Sequence, residues 1–413
     1  MLTTTGPAVT RRRTAPRRET PAPAEPAGRA GAGRTAATAG GPRRARAEAP
    51  RPIVSPGNLR VLLLLLVVLN MFGLVMVLSA SSIVSIRQFH TPWHYFSRQC
   101  VWLVVGIGAF AIGMRSDLRL WRRLSPLLML ATLGALLAVL VPGVGVSAAG
   151  ASRWLGTSTI ELQPSELAKL ALVLFGANVL DRRHLARDWR YEMMPVIAVF
   201  VIMAALILKQ PDMGTTMVLA TITLAMLFTA GLPGRPLLGL IGTGGAAALV
   251  MAVAAPYRMQ RLMSFRDPFK HSTDTGYQLA QGILSLSNGG LGGNGIGASI
   301  ASYGFLPNAQ TDFIFAVIGE ETGLVGTLLV SSLFACVAFI GIRIACRARD
   351  RFAALTATGI TAWLVGQAVI NIGSVIGLLP VTGVPLPFVS FGGSALVIAL
   401  FAAGLLANVA RRP

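Results

Sequence analysis

Residues 307–321 of the chain read PNAQTDFIFAVIGEE, and they join a polar segment to a long hydrophobic run. Three carboxylates, Asp312, Glu320 and Glu321, fall within ten residues here, although the 413-residue chain has only 16 Asp and Glu. With about 1.5 Å of helical rise per residue, Glu320 is expected roughly 12 Å deeper in the run than Asp312. Carboxylates at such depth mark a candidate functional site. The structural alternative makes Asp312 a helix cap and pairs both glutamates with cations.

The composition indicates a helical membrane protein. The chain is 54% hydrophobic and 13% charged, with a mean hydropathy of +0.65, whereas soluble proteins are about 25% charged. Three scattered cysteines form neither a disulfide framework nor a metal-binding spacing. We predict an all-α polytopic protein whose apolar runs approach the ~20 residues of a membrane helix. The ten predicted spans are 59–80, 98–114, 124–141, 164–180, 194–209, 213–231, 236–256, 312–343, 352–379 and 386–410.

The distribution of basic residues predicts the orientation. With the N terminus inside, the loops on that side hold 15 Lys and Arg, and the loops on the other side hold 8. This bias places both termini in the cytoplasm. It also places one large loop, residues 257–311, and the polar segments outside the cytoplasm. We therefore expect any chemistry on the extracytoplasmic side.

The first 58 residues form a separate region, followed by a membrane domain over residues 59–413. Residues 1–60 contain 12 Arg against 3 Glu and are rich in Ala, Pro and Gly, a composition that cannot bury a core and is typical of disorder. We interpret residues 1–58 as a basic cytoplasmic tail that adsorbs to anionic lipid. The net charge of +20 does not indicate nucleic-acid binding, because no basic surface with interleaved aromatics is evident.

Two polar motifs interrupt the apolar spans. In QPSELAK, residues 163–169, Pro164 is typical of a helix start, and Glu166 and Lys169 share one helix face. They form either an internal ion pair or, through Lys169 with Arg153, a site for an anionic group such as a diphosphate. In KQPDMGT, residues 209–215, the Asp at position 212 either caps the next helix or faces a shared polar cavity.

Two further segments have irregular backbone. Residues 384–394 read VPLPFVSFGGS at the edge of the last span, and such backbone persists at membrane depth only where protein or water satisfies it. We expect it to line the same cavity. Residues 289–297 are glycine-rich without a strand–loop–helix phosphate-binding context. Their glycines allow either a close backbone approach to a substrate or a hinge.

Six motifs together resemble the SEDS family, the FtsW/RodA/SpoVE group of membrane proteins. The resemblance spans residues 59–410, and Leu74–Ser82, VPGVGV at 141–146 and the GEE at 319–321 favour the FtsW branch. The motifs occur in family order: Arg153-Trp154, QPSELAK at 163–169, QPD with GT at 210–215, GYQ at 276–278, LPNAQTDFIFAVIGEE at 306–321 and PFVSFGGS at 387–394.

This resemblance implies an inverting peptidoglycan glycosyltransferase that polymerises lipid II into β-1,4 glycan strands during septal wall synthesis. It implies Asp312 as the catalytic general base, in the plasma membrane at the division septum. The implied partners are an FtsI-like class B penicillin-binding protein and other division proteins. The expected substrate-binding residues are Arg153, Trp154, Glu166, Lys169, Asp212, Arg258, Arg261, Lys270, Gln310, Thr311, Ser390 and Ser394. No organic cofactor is expected; a divalent cation, Mg²⁺ or Mn²⁺, is left open, with its ligands unassigned.

Alternative hypotheses are a lipid II flippase, an elongation or sporulation polymerase, and a non-catalytic division scaffold. A transporter is expected to show inverted repeats and acids along a path, whereas the sequence shows no such repeat and its polar motifs gather on one side. The sequence also departs from the family pattern. Gln310 stands where relatives often have His, and residues 300–302 lack a basic pair.

Overall fold

A computed structural model of the chain describes residues 56–143, 145–148, 151–156, 161–182, 185–253, 259, 265–270 and 276–411. The predicted tail up to residue 55 lies outside the described residues, as do Arg258 and Arg261. The described part is mostly helical, which confirms the predicted fold class. Its helices are α1 (Pro56–Phe89), α2 (His94–Arg115), α3 (Leu118–Val139), α4 (Pro164–Asp181), α5 (Leu185–Lys209), α6 (Met213–Thr229), α7 (Gly234–Val253), α8 (Tyr277–Gly289), α9 (Ile314–Cys346), α10 (Arg351–Val375) and α11 (Gly393–Arg411).

Each of the ten predicted spans coincides with one of these helices. Within the described residues, α1, α2, α3, α5, α9, α10 and α11 are long and apolar enough to cross a membrane, and α6 is a shorter apolar helix. The two other predicted spans coincide with α4 and α7. The number of helices that cross the membrane and the cytoplasmic position of the termini stay predictions.

A small antiparallel sheet connects α3 to α4, a feature that the apolar pattern did not predict. Its strands are β1 (Val146–Ala148), β2 (Ala151–Gly156) and β3 (Glu161–Leu162), in the order β1-β2-β3. Residues 146 and 154 are paired between β1 and β2, and residues 155 and 162 between β2 and β3. The sheet matters because β2 carries Arg153 and Trp154.

Small residues allow helices α2 and α11 to pack closely. A Cβ added to Gly404 would overlap the carbonyl oxygen of Phe110, and one added to Gly113 would lie 2.7 Å from the carbonyl oxygen of Phe401. Asn408 donates to the carbonyl oxygens of Gly113 and Ser116 at 3.0 and 2.6 Å. Glycine and interhelical amide contacts of this kind hold helices together in apolar surroundings, where lipid offers no competing polar groups.

Helix α9 is broken at Gly323, whose φ of 66° and ψ of −160° are not helical. The glycine-rich segment 289–297 packs against this break. The backbone N–H groups of Asn294 and Gly295 donate to the carbonyl oxygens of Glu320 and Glu321, each at 3.0 Å. In return Leu324 N–H donates to the carbonyl oxygen of residue 290 at 2.9 Å. The glycines therefore allow a close backbone approach, as one alternative predicted, but the approach is to α9.

Gly323→Ala is expected to lower the stability of the protein by about 1–3 kcal/mol through backbone strain alone. Its Cβ would also overlap the backbone nitrogen of Gly293, which has no side chain to move away. Thermal unfolding in detergent measures the loss. Gly108→Ala in α2 is the control, because a Cβ there meets no atom within 4 Å, and Ala stabilises a helix over Gly by about 0.5–1 kcal/mol. Equal melting temperatures for both variants would contradict the expectation.

Candidate active site

Asp312 lies two residues before α9, and its carboxylate has no fixed partner among the described residues. Phe313, not Asp312, is the N-cap residue, and no side chain caps the helix. Within the described part of the chain, no hydrogen bond or ion pair engages the Asp312 carboxylate. The structural alternative that made Asp312 a cap is therefore wrong. Its oxygen Oδ2 would lie 3.5 Å from a Cβ added to Gly383, so the segment around residue 383 borders the carboxylate.

Charged groups from two other motifs act on Asp312. Burial raises the pKa of this carboxyl to about 6, the negative charge of Asp212 adds to the increase, and the Arg153 guanidinium opposes it. Asp312 precedes the candidate membrane span, which begins at Ile314, so its carboxyl group lies outside that span, at the edge of the bundle. A carboxylate with a pKa near neutrality suits an acid–base role.

The backbone on either side of Asp312 is held by the C-terminal third of the chain. Phe391 N–H donates to the carbonyl oxygen of Gln310 at 2.9 Å, and Ser390 Oγ donates to that of Thr311 at 2.6 Å. The Asn371 side-chain amide donates to the carbonyl oxygen of Asp312 at 2.7 Å. Three successive carbonyl groups are thus fixed by three donors, which places the carboxylate relative to segment 384–392.

Asn371 and Gln99 contribute to this arrangement, and the sequence analysis missed both. Asn371 in α10 also donates to the carbonyl oxygen of Val384 at 2.7 Å, so one amide joins the Asp312 segment to the Gly383 segment. Gln99 in α2 donates to the carbonyl oxygen of Ser390 at 3.3 Å. An amide inside an apolar helix is the sequence signal that could have drawn attention to Asn371, since such groups need partners when buried.

Asp212 caps α6, as one of the two interpretations predicted. It accepts hydrogen bonds from the N–H of Thr215 at 2.9 Å and from the hydroxyl of Thr215 at 2.7 Å. Arg153 reaches the same break in the bundle, where its Nε and Nη2 donate to the carbonyl oxygens of Gln210 and Pro211 at 2.9 and 2.7 Å. A guanidinium has five N–H donors. Arg153 therefore retains donors for an anionic ligand while the backbone holds it in place.

Glu166 and Lys169 form a fully enclosed ion pair. Lys169 Nζ lies 2.8 Å from the Glu166 carboxylate and donates to Gln367 Oε1 at 2.7 Å. The indole N–H of Trp363 donates to the same amide oxygen at 2.8 Å, and Gln367 Nε2 donates to the carbonyl oxygen of Pro385 at 2.8 Å. Lys169 is 0% exposed, so this geometry favours the internal ion pair over direct contact of Lys169 with a ligand.

A small cavity lies beside this network. Glu166, Trp363 and Gln367 form its polar side, and residues 385–388, 390 and 392 form another wall together with the start of α11. The predicted irregular segment lines this cavity, whereas Asp212, with which it was expected to share a cavity, is not among the lining residues. Ser390 belongs to this wall, and Ser394 is buried in the first turn of α11.

Other predicted site residues are placed differently. Lys270 is exposed, and its ammonium pairs with Asp267 at 2.7 Å. Trp154 lies on β2, partly buried, opposite residue 146.

Glu320 and Glu321 have no cation partner among the described residues, so the alternative that paired them with cations is wrong there. Glu321 instead accepts from the hydroxyl of Ser79 in α1.

The described residues contain no group of three or more His, Cys, Asp or Glu side chains able to hold a metal ion. Asp312 and Asp212 are the carboxylates available near the site, and oxygen ligands of this kind suit Mg²⁺ and Mn²⁺. Since Thr215 already engages both oxygens of Asp212, the described residues fit a divalent cation only in part.

This arrangement defines a class: a multi-pass helical membrane protein with a partly buried acid at the edge of its bundle. The profile of the FtsW/RodA/SpoVE family, described as cell cycle protein, matches residues 60–413. The chain belongs to the FtsW/RodA/SpoVE family, and it is a multi-pass protein of the bacterial membrane.

Relatives with assigned names support this membership. A Geobacter metallireducens protein named probable peptidoglycan glycosyltransferase FtsW is 39% identical over 353 residues, covering 85% of this chain and 94% of the relative. A Mycobacterium tuberculosis protein of the same name is 41% identical over 344 residues, covering 83% of this chain and 66% of the relative.

Solved structures share the fold. A chain from a structure titled "Structural coordination of polymerization and crosslinking by a peptidoglycan synthase complex" aligns with a TM-score of 0.71 at 29% identity, covering 85% of this chain and 96% of that one. The rod shape determining protein RodA of Thermus thermophilus aligns with a TM-score of 0.62 at 30% identity, covering 85% and 95%.

Glu166→Ala and Lys169→Ala are each expected to lower stability by about 3–5 kcal/mol, because each leaves a buried charge without its partner. Expression yield and melting temperature in detergent measure the loss. The double variant Glu166→Gln with Lys169→Met removes both charges at similar volume, and it is expected to be more stable than either single variant. Normal yield and melting temperature in both single variants would argue against the buried pair.

Proposed function

We propose that the protein is a peptidoglycan glycosyltransferase that polymerises lipid II into β-1,4 glycan strands, with Asp312 as general base. The single observation that carries this proposal is the Asp312 carboxylate, which no other described group binds and on which Asp212 and Arg153 of two other motifs act. The names of the relatives, probable peptidoglycan glycosyltransferase FtsW, supply the reaction class. The description of the matching family model, cell cycle protein, supports a role in cell division, which we place at the septum.

The proposed step is a single displacement with inversion. The 4-hydroxyl oxygen of the acceptor sugar forms a bond to the anomeric carbon of the donor, and the bond from that carbon to the diphosphate oxygen breaks. The proton of the hydroxyl passes to Asp312, and the diphosphate leaves with the electron pair. One base is sufficient, because a diphosphate is a stable leaving group that needs no protonation. A positioned base contributes about 10²–10⁴ to the rate.

Arg153 is the residue proposed to stabilise the charge that develops on the diphosphate. Its position is fixed by two backbone carbonyl groups, at 2.9 and 2.7 Å, and a preorganised donor of this kind is effective in a site that excludes water. Lys169 acts indirectly in this proposal, by holding Glu166 and Gln367 beside the cavity. A divalent cation would supply further neutralisation of the diphosphate, and no step here depends on it.

A class B penicillin-binding protein is the proposed partner. Support comes from the relative solved in a structure whose title describes a peptidoglycan synthase complex that coordinates polymerisation and crosslinking. The proposed site faces the outside of the membrane, in keeping with the bias of Lys and Arg in the loops.

Asp312→Asn is expected to lower glycan synthesis from purified lipid II by at least about 100-fold, because it keeps the shape of the side chain and removes the base. Synthesis is measured with and without a co-expressed class B penicillin-binding protein. Asp350→Asn is the matched control: Asp350 caps α10 through Ala353 N–H at 2.7 Å, and Asn caps equally well. Activity of Asp312→Asn near that of the wild type would refute the base assignment, and no polymer from the wild type would favour a flippase or a scaffold.

The turnover rate is expected to fall tenfold per pH unit below about pH 6, because protonation of Asp312 removes the base and its pKa is raised to about 6. The same shift has the opposite effect on stability. The folded state binds the proton more tightly than the unfolded state, so stability falls as the pH rises from the ordinary pKa of 3.8 to about 6, and it stays at the lower level above that pH. Asp312→Asn should thus melt at or above the wild-type temperature at pH 7. A flat rate between pH 5 and pH 7 would contradict the assignment.

A further inference from the structure

Glu320 is a buried carboxylate that neutral donors surround. It is 1% exposed, lies two helical turns after Asp312, and has no cation partner in the described part of the chain. One oxygen accepts from Ser299 Oγ at 2.6 Å and from Ala301 N–H at 3.2 Å. The other accepts from Asn288 Nδ2 at 3.0 Å and from Ile300 N–H at 3.1 Å. Four donors therefore converge on one side chain.

These donors come from one segment, between the end of α8 and the short 3₁₀ turn Ala301–Tyr303. The carboxylate lies at the start of that turn, where it accepts from the backbone N–H groups of Ile300 and Ala301. The break in α9 brings the segment within reach, because Asn294 N–H donates to the Glu320 carbonyl oxygen at 3.0 Å. Main chain and side chain of Glu320 thus hold the same segment.

Two groups of backbone hydrogen bonds, joined through Pro307, lie between the turn and Asp312. Leu306 N–H donates to the carbonyl oxygen of Ala301 at 3.2 Å. The N–H groups of Thr311 and Phe313 donate to the carbonyl oxygen of Asn308 at 3.1 and 3.3 Å. Helix α9 begins directly after Phe313 and includes Glu320. The hydrogen bond between Ser299 and the Glu320 carboxylate therefore closes residues 299–320 into a loop.

A carboxylate is the group that this arrangement requires. An ionised carboxylate only accepts hydrogen bonds, whereas an amide presents an NH₂ group that donates. Gln at position 320 would direct that NH₂ group at a backbone N–H of Ile300 or Ala301, neither of which can accept. A buried donor that loses its acceptor costs free energy, so we expect the backbone of residues 299–301 to rearrange.

We infer that Glu320 is a positioning residue, which fixes segment 299–312 and thereby the place of the Asp312 carboxylate relative to Arg153 and Asp212. Its catalytic consequence rests on the function proposed above. The alternative is that Glu320 only stabilises the fold. The two differ in what happens to molecules that remain folded: a positioning residue changes their turnover, and a purely stabilising one does not.

The test compares three single variants, and the double variant Ser299→Ala with Glu320→Gln, of the full chain in detergent, each freed of aggregates by size exclusion. Glu320→Gln places an NH₂ group where backbone N–H groups need an acceptor. Ser299→Ala removes one of the four donors to Glu320, and it is included because Glu320→Gln could fold poorly. Asn408→Ala is the stability control, because it removes two buried hydrogen bonds between α11 and the C-terminal end of α2. The segment that holds Asp312 meets α2 at its other end, where Tyr95 contacts Phe391. The measurements are kcat and KM for lipid II, the pH profile of kcat, and hydrogen exchange over residues 299–312.

For Glu320→Gln we expect kcat to fall about tenfold or more with KM for lipid II within about twofold, since small misplacements of a catalytic group cost up to about 100-fold. The acid limb of the pH profile should move, and exchange over residues 299–312 should increase. Ser299→Ala should change each quantity in the same direction by less, and the double variant should equal Glu320→Gln alone. Asn408→Ala should lower the melting temperature and leave kcat and the exchange of this segment unchanged.

Three results would overturn the inference: unchanged kcat and pH profile in folded Glu320→Gln, unchanged exchange over residues 299–312, or additive effects of the Ser299 and Glu320 variants. Failure of the proposed function would look different. In that case the wild type makes no glycan, or Asp312→Asn remains active, while the exchange measurement still reports whether Glu320 holds the segment.

Discussion

The structure depends on one constraint: every buried backbone group near the membrane must find its hydrogen-bond partner inside the protein. The backbone is non-helical at several places in and beside the bundle. At the places described below, other parts of the chain supply hydrogen-bond partners for the exposed backbone groups. The break at Gly323 is filled by the glycine-rich segment. The break after α5 is held by Arg153, and Asn371 and Ser390 engage the carbonyl groups of residues 311, 312 and 384. Because these partners are shared between motifs, satisfying the backbone also assembles the candidate site.

Local patterns were sufficient for the parts of the structure that depend on neighbouring residues. Apolar runs located ten helices, since each run needs only its own hydrogen bonds and an apolar environment. The start of α4 at Pro164, the Glu166–Lys169 pair and the Asp212 cap of α6 are contacts within four residues. The sequence shows such contacts directly. The position of Asp312 at the entrance to α9 followed from the same patterns.

Contacts between distant residues could not be predicted in this way. The structural alternative paired Glu320 with a cation, because a buried acid usually needs one. Nothing local in the sequence shows that four neutral donors surround it instead. Asn371 lies 59 residues from Asp312 and looks like any polar residue in an apolar helix until its partner is known. The small sheet before α4 was missed because its strands are only two to six residues long. The resemblance to a family supplied the site where periodicity could not.

Four of the acids described above, Glu166, Asp212, Asp312 and Glu320, differ in how their carboxylates are satisfied. Glu166 has a cation, Asp212 has the N–H and hydroxyl of Thr215, and Glu320 has four donors. Each of these carboxylates is thus engaged by groups of the protein itself. Asp312 lacks such donors in the described structure, and burial raises its pKa. Rigid donors hold its backbone instead of its carboxylate, so the segment is fixed while the charge stays available. A proton acceptor needs that combination, and a structural acid does not.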